Sequence, residues 1–376
     1  MSRFTSPLRV PVLLMVRELN LGGSERQLAE IAQALDRDRF EPHVGCFRPN
    51  GIRADDLKGA GVPVVEFPVR SFRQVSVISA ARQLGAYIRQ HGIRLVHTFD
   101  VPANLFGVPA ARALSKAIVI SSQRAHRDLT PGLTRGLLRL TDRMVDGIVV
   151  NCDAVRRQLI DEDRVQPSLI HLCYNGIDTD EFSPGQATRP EALRDASSVI
   201  GIVCALRPEK DLHTLLQAFA HVRGIDSRLK LAIVGSGPSL NELLATADRL
   251  GISDRCLFEP ATTRVADWLR SIDVFVLPSR SEALSNSLME AMACGCAVVA
   301  SRVGGNVELV QDGRTGLLFE SGNADELSLA LRRLIENQDL RSQLGDAAAR
   351  EMREAFSLQR SAGRMAEIYS ALLPMP

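Results

Sequence analysis

Short apolar runs alternate with longer amphipathic stretches along the whole chain. Val10–Val16, His43–Phe47, Pro63–Phe67, Leu95–Thr98, Ala117–Ser121 and Gly147–Val150 are brief, rich in β-branched residues and apolar at successive positions. That pattern predicts parallel strands covered on both faces. Between them, Ser24–Ala34, Val77–Gln90 and Asn104–Leu114 carry helical periodicity. The rhythm is that of a doubly wound α/β sheet.

A break follows. Residues Asn175–Pro190 contain Gly176, Pro184, Gly185 and Pro190 and read as a linker. A second series then begins, with strands expected at Val199–Val203, Lys230–Val234, Cys256–Phe258, Val274–Leu277 and Ala297–Ala300. Helices are expected at Leu212–His221, Ser239–Leu250, Thr263–Ser271 and Ser285–Ala293, and Asp325–Leu373 is helical with few breakers. A length of 376 residues suits two domains of ordinary size. The expected organisation is a Rossmann-like domain over 1–185, a second over 186–355, and a closing helix at 356–376 that packs back on the first. In open α/β sheets ligands bind at the carboxyl ends of the strands, which places the expected site in a cleft where two such domains face each other.

Composition narrows the class. Hydrophobic residues make up 45% but aromatics only 5%, so the core is built from Leu, Val, Ile and Ala. Net charge is +1, from 45 basic and 44 acidic residues, and gives no case for a nucleic-acid partner. The seven cysteines are odd in number and contain no C-x-x-C pair, which suits reduced thiols in a cytoplasmic protein. No zinc-like histidine spacing occurs. The first apolar run, Val10–Val16, is far short of the ~18 residues of a membrane span and reads as a buried strand.

The segment with the most chemistry is Leu277-Pro278-Ser279-Arg280-Ser281-Glu282, continuing through Ala283-Leu284-Ser285-Asn286-Ser287-Leu288-Met289-Glu290-Ala291-Met292-Ala293-Cys294-Gly295. An apolar strand runs into a polar loop carrying Glu282. Ser285 or Asn286 then caps a helix, with Glu290 about one turn inside it. The amides of a helix N-terminus suit a diphosphate. Carboxylates accept hydrogen bonds from sugar and ribose hydroxyls. Taken alone, the two glutamates fit equally a loop charge and a helix surface residue.

In its context the segment resembles the group 1 family of retaining glycosyltransferases with the GT-B fold. The resemblance continues through Ala297-Val298-Val299-Ala300-Ser301, Gly304-Gly305, Glu308-Leu309-Val310 and Asp312-Gly313-Arg314-Thr315-Gly316. Gly22-Gly23-Ser24-Glu25-Arg26, Tyr174-Asn175-Gly176-Ile177-Asp178, Leu206-Arg207-Pro208-Glu209-Lys210 and Val234-Gly235-Ser236-Gly237-Pro238 extend it over most of the chain. It implies a nucleotide-sugar donor, UDP-sugar ahead of GDP-sugar, with no further cofactor and no metal. Lys210 would pair with the diphosphate, Glu290 with the ribose, and Glu282 with the transferred sugar or adjacent phosphate. Gly22, Gly23, Gly235, Leu284, Ser285 and Asn286 complete the donor site. One common family pattern opens the phosphate loop with Gly-Arg, where this chain has Cys204-Ala205. Arg207 either supplies the missing guanidinium or faces solvent.

The first half departs further. Many relatives carry a histidine after the fifth strand, where this chain has Arg124, with His126 two residues on. Arg124 can hold an anionic or hydroxylated group, and His126 either exchanges a proton or sits in a surface loop. His97 and Asp100 end another strand and are expected on the acceptor side, unless they serve the turn itself. Arg124, Arg127, Arg135, Arg139 and Arg143, interleaved with Leu133, Leu137, Leu138 and Leu140, fit either a solvated helix or contact with a lipid diphosphate or an anionic membrane face. The resulting expectation is transfer of a hexose or N-acetylhexosamine to a glycan or lipid-linked acceptor in polysaccharide or glycolipid assembly, peripheral to the inner membrane face. A nucleotide-sugar epimerase and an inactive sugar-nucleotide-binding protein are the alternatives.

Overall fold

The computed structural model describes residues 9–373. The chain forms two compact units, one comprising the chain up to Gly176 together with Leu358 onward, the other Ile177–Ser357.

The first unit is built on strands β1 (Val10–Glu18), β2 (Phe40–Arg48), β3 (Val64–Glu66), β4 (Leu95–Thr98), β5 (Ile118–Gln123), β6 (Gly147–Val150) and β7 (Ile170–Leu172). They form one sheet in the order β3-β2-β1-β4-β5-β6-β7, every pair parallel. The order reverses between β1 and β4, which makes their carboxyl ends the switch point of the sheet. Val12–Val16 of β1 are wholly buried, as a strand covered on both faces requires. The last helix, Leu358–Leu372, packs on the Gly23–Ala34 helix. It delivers Tyr369 into the core, edge-on to Phe40 with ring centroids 5.8 Å apart.

The second unit contains β8 (Val199–Val203), β9 (Lys230–Val234), β10 (Cys256–Glu259), β11 (Val274–Leu277), β12 (Ala297–Ser301) and β13 (Leu317–Phe319). The order is β10-β9-β8-β11-β12-β13, again all parallel. Its switch point lies between β8 and β11. Both units are therefore Rossmann-like α/β sheets. Among the described residues no helix is long and apolar enough to cross a membrane.

Candidate active site

The carboxyl ends of the adjacent strands β8 and β11 bring Lys210 and Glu282 together. After β8 the chain makes a short turn, Pro208–Lys210, and enters the Leu212–Val222 helix through Asp211, whose φ of 48° is left-handed. The Lys210 ammonium donates to Oε1 of Glu282. The hydroxyl of the fully buried Ser279 donates to the same oxygen at 2.7 Å. Burial by itself lowers the Lys210 pKa, but Glu282, with help from Cys204 and Glu209, more than reverses this and the net shift is upward. The lysine is thus a fixed cation at neutral pH.

The two loops that carry this pair are tied at a second place. The Arg280 N–H donates to the Glu209 carbonyl at 2.9 Å. The Arg280 guanidinium holds the buried Asp211 carboxylate through Nε and Nη2, each at 3.1 Å, and Thr214 donates to that carboxylate at 2.8 Å. Ser279 is anchored in turn, because its carbonyl accepts from Ser301 at 2.6 Å and Ser321 at 3.2 Å. Ser279, Asp211 and Arg280 were not anticipated as site residues. Ser279 lies in the quoted motif, but nothing in the sequence marks the left-handed turn at Asp211.

Beyond Glu282 the chain enters the helix Asn286–Ala293. Ser285 is its N-cap and accepts from the Leu288 N–H at 3.4 Å. Leu284 and Ser285 are buried, as is Glu290 on the helix itself. The Gly305 N–H donates to the Ala283 carbonyl at 2.7 Å, and a Cβ at Gly305 would lie only 2.0 Å from that oxygen. Glycine there lets one loop seat directly on the other. Gly235 closes β9 with φ 150°, and a Cβ on it would lie 1.8 Å from the Cys204 carbonyl. Cys204 sits beside Lys210 and Glu282, its thiol pushed up to about 12 chiefly by burial. Arg207 is not gathered into this group: its side chain is 63% exposed and lies 3.9 Å from Glu209.

In the first unit, Gly22 caps the helix Gly23–Ala34, and the Glu25 carboxylate lies against it. Arg124 follows β5 and donates to Asn175 Oδ1 at 2.5 Å, with its guanidinium carbon 5.5 Å from the Phe99 ring centre. Burial lowers its pKa to about 10, against the opposing effects of Cys173 and Glu30. His97 is placed differently from the acceptor-side expectation. Its ring is fully buried, with Nδ1 2.7 Å from the Tyr369 hydroxyl and Nε2 2.8 Å from the Ser122 hydroxyl. Both nitrogens serve the core, and burial followed by the nearby Arg124 charge holds the ring neutral. Asp100 serves the turn: Oδ1 accepts from the Ala103 N–H at 2.8 Å, capping the Val101–Leu114 helix, and Oδ2 accepts from the Arg17 N–H at 2.9 Å. His126 is half-buried and precedes the turn Arg127–Leu129.

The arginine-rich stretch is largely occupied within the unit. Arg127 is buried and grips Asp142 at 2.7 and 2.9 Å and Asp163 at 3.1 Å. Arg139 reaches Asp163 at 2.7 Å, and Arg135 reaches Glu162 at 2.7 Å. The Gly132–Asp142 helix also turns apolar side chains outward beside the half-exposed Arg139: Leu133, Leu137 and Leu140 are exposed, Leu133 by 81%.

The two Rossmann-like sheets, the second with a cation–carboxylate pair and a capped helix at its switch point, define an α/β protein of the GT-B fold class. Residues 186–351 match the family described as glycosyl transferases group 1, and residues 21–181 match glycosyltransferase family 4. The chain belongs to the group 1 glycosyltransferases. It is 31% identical over 240 residues to a D-inositol 3-phosphate glycosyltransferase of Streptomyces bingchenggensis, covering 60% of this chain and 52% of that protein. The chain thus spans about half the length of that relative. A Streptomyces scabiei protein of the same name is 29% identical over 99% of this chain and 90% of its own length. Among solved structures, Anabaena Alr3699/HepE in complex with UDP-glucose superposes with a TM-score of 0.83 at 22% identity, covering 96% of this chain and all of the other (100%).

Proposed function

We propose that the chain transfers a hexose or N-acetylhexosamine, with retention of anomeric configuration, from a nucleotide-sugar donor to a glycan or lipid-linked acceptor. The observation that carries this reading is the Lys210–Glu282 pair fixed by Ser279 at the switch point of the second unit. Lys210 neutralises the donor diphosphate, and the amides of the Asn286–Ala293 helix, which Leu284 and Ser285 lead into, receive its remaining charge. Glu282 accepts from hydroxyls of the sugar. Glu290, buried on the same helix, accepts from the ribose hydroxyls. Gly235, Gly22 and Gly23 allow close backbone approach. These groups supply phosphate neutralisation without a metal. UDP is the preferred nucleotide, and UDP-glucose is the ligand of the Anabaena neighbour.

The leaving phosphate takes the acceptor proton, so the protein acts by positioning and by stabilising charge. Arg124, anchored on Asn175, holds an anionic or hydroxylated group within the first unit, with His126 two residues on, and in the second unit Arg207 is an outlying cation. The acceptor belongs to polysaccharide or glycolipid assembly at the cytoplasmic membrane face. The exposed leucines of the Gly132–Asp142 helix support the lipid side of that reading, and seven free thiols suit a reducing compartment.

The test is incubation with UDP-, GDP- and ADP-sugars, following free sugar by NMR. Slow release of sugar from a UDP-sugar, initially in the donor's anomeric form, is expected, and Glu290→Ala should weaken UDP binding about tenfold or more. Inversion at a ring carbon, binding without turnover, or unchanged UDP affinity in Glu290→Ala each defeats the assignment.

A further inference from the structure

At the amino ends of β4 and β5 the first unit holds a cavity of about 720 Å³. Small-molecule sites span about 300–1,000 Å³. The cavity lies at the opposite end of the sheet from the switch point. The end of the Ser76–Gln90 helix and the turn after it form one side, the end of the Val101–Leu114 helix and the turn into β5 the other, with Leu373 beside them.

The wall presents two kinds of surface. Ile88, Ile93, Leu114, Ala117, Ile118 and Leu373 supply hydrocarbon, and Arg89, Arg94 and Lys116 supply positive charge. No residue of this lining is acidic. Lys116 is exposed and has no ion-pair partner among the described residues. Arg89 donates to the Leu114 carbonyl at 3.2 Å and pairs with no carboxylate among the described residues. Two carboxylates at the same end of the sheet lie outside the lining. Asp146 is occupied by Arg112 at 2.9 Å and by the Val119 N–H at 2.8 Å, and Glu41 faces His43 at 3.7 Å.

Acceptors on this wall are largely spent. The Ile88 carbonyl accepts from the Ile93 N–H at 2.9 Å, and the Arg94 carbonyl accepts from the Ile118 N–H at 2.9 Å. The Ser115 hydroxyl donates to the Ala111 carbonyl at 2.7 Å and accepts from the Ala117 N–H at 3.3 Å. A sugar needs acceptors as well as donors, and a cation would meet like charge. A small hydrated anion would leave the hydrocarbon uncovered. Both surfaces are satisfied by an anionic head joined to a hydrocarbon body.

We propose that this cavity is a binding site for an anionic amphiphile, a hydrocarbon chain ending in a carboxylate or phosphate. The head pairs with Arg89 and Lys116, and the chain lies along Ile88, Ile93 and Leu114. The site is separate from the proposed donor site and stands whether or not the chain is a transferase.

The experiment is calorimetric titration of the full chain with decanoate, dodecanoate and decyl phosphate, each below its micelle concentration. Decyl maltoside, with a neutral head, and inorganic phosphate, with no chain, are titrated alongside. The anionic amphiphiles are expected to bind, dodecanoate at least about threefold more tightly than decanoate. Affinity falls about tenfold in Lys116→Gln and in Arg89→Gln, while both variants keep the wild-type thermal midpoint. Should Arg89→Gln lose its fold, Lys116→Gln decides alone, since that side chain is exposed. Preference for the carboxylate or for the phosphate identifies the head, both within the proposal. Four results overturn it: no binding of the amphiphiles, equal binding of the maltoside, equal binding of inorganic phosphate, or unchanged affinity in Lys116→Gln. Loss of binding in Leu133→Ser instead would place the amphiphile on the exposed leucines and overturn it as well.

Discussion

The Lys210 ammonium and the Ser279 hydroxyl converge on one oxygen, Oε1 of Glu282. A partly buried carboxylate is therefore neutralised by a cation from a different loop before any donor arrives. On the proposed function, donor binding would exchange this internal partner for a diphosphate, with Ser279 keeping Glu282 aimed. Lys210→Ala should reduce transfer by about 100-fold or more. It should lower stability by about 1–3 kcal/mol, since Glu282 loses its cation. The ammonium's folded pKa lies above 10.5, so the pair's stabilisation is complete below pH 10.5 and is lost as pH rises through the higher value. Single-turnover kinetics and chemical denaturation check both parts. Wild-type transfer in Lys210→Ala removes the lysine from the mechanism.

Gly305 is a steric test of the loop that leads into the Asn286–Ala293 helix. An alanine methyl there would collide with the Ala283 carbonyl, which is backbone and cannot swing aside. Gly305→Ala should displace residues 283–285 and weaken UDP binding about tenfold, as overpacking of about 1–3 kcal/mol requires. Calorimetric titration with UDP reads this directly, and unchanged affinity would show that the loop does not touch the donor.

His97 predicts a pH effect. Its folded pKa lies well below the ordinary 6.5. The stability gained from holding it neutral is present above 6.5 and lost as pH falls toward the folded value. Thermal midpoints measured at about pH 7 and about pH 5 should fall less between the two in His97→Gln than in wild type. Equal falls would mean another group dominates the acid limb.

Arg127 holds a buried carboxylate pair, with Asp142 and Asp163 both within 3.1 Å of its guanidinium. Arg127→Ala strands those charges and should cost about 3–5 kcal/mol in urea unfolding. A loss below about 1 kcal/mol would show that Arg135 and Arg139 already satisfy Asp163 and that the network is redundant.

The Gly132–Asp142 helix gives a separate prediction for lipid contact. Its outward residues include three leucines, while its exposed Arg139 is paired with Asp163. Replacing Leu133 and Leu137 with Ser should lower cosedimentation with anionic vesicles severalfold, with little effect on the thermal midpoint. Undiminished cosedimentation removes this helix as the contact.

The strands read with the sharpest bounds were interior ones whose burial is two-sided. Leu95–Thr98, Gly147–Val150, Val199–Val203, Lys230–Val234 and Val274–Leu277 have the bounds their apolar runs suggest. Of the four edge strands, Val64–Glu66 and Cys256–Glu259 were anticipated at Pro63–Phe67 and Cys256–Phe258, whereas the three-residue strands Ile170–Leu172 and Leu317–Phe319 were not. At the site, spacing placed Glu282 and Glu290 around a helix start. It could not show that Lys210 lands on Glu282, because 72 residues separate them in the chain. His97 shows the opposite failure. A histidine closing a strand looks like chemistry in sequence, but here the helix holding Tyr369, 272 residues downstream, turns it into core.

That same helix has a consequence for the order of assembly. The first unit is completed by Leu358–Leu372, whereas the second is contained in Ile177–Ser357. The first unit, though begun earlier, therefore lacks the segment that buries Phe40 and His97 until the last residues of the chain are made. Vectorial folding is inverted in this chain: the half made first is finished last. A truncated chain ending at residue 357 would hold every element of the second unit and lack the closing helix of the first.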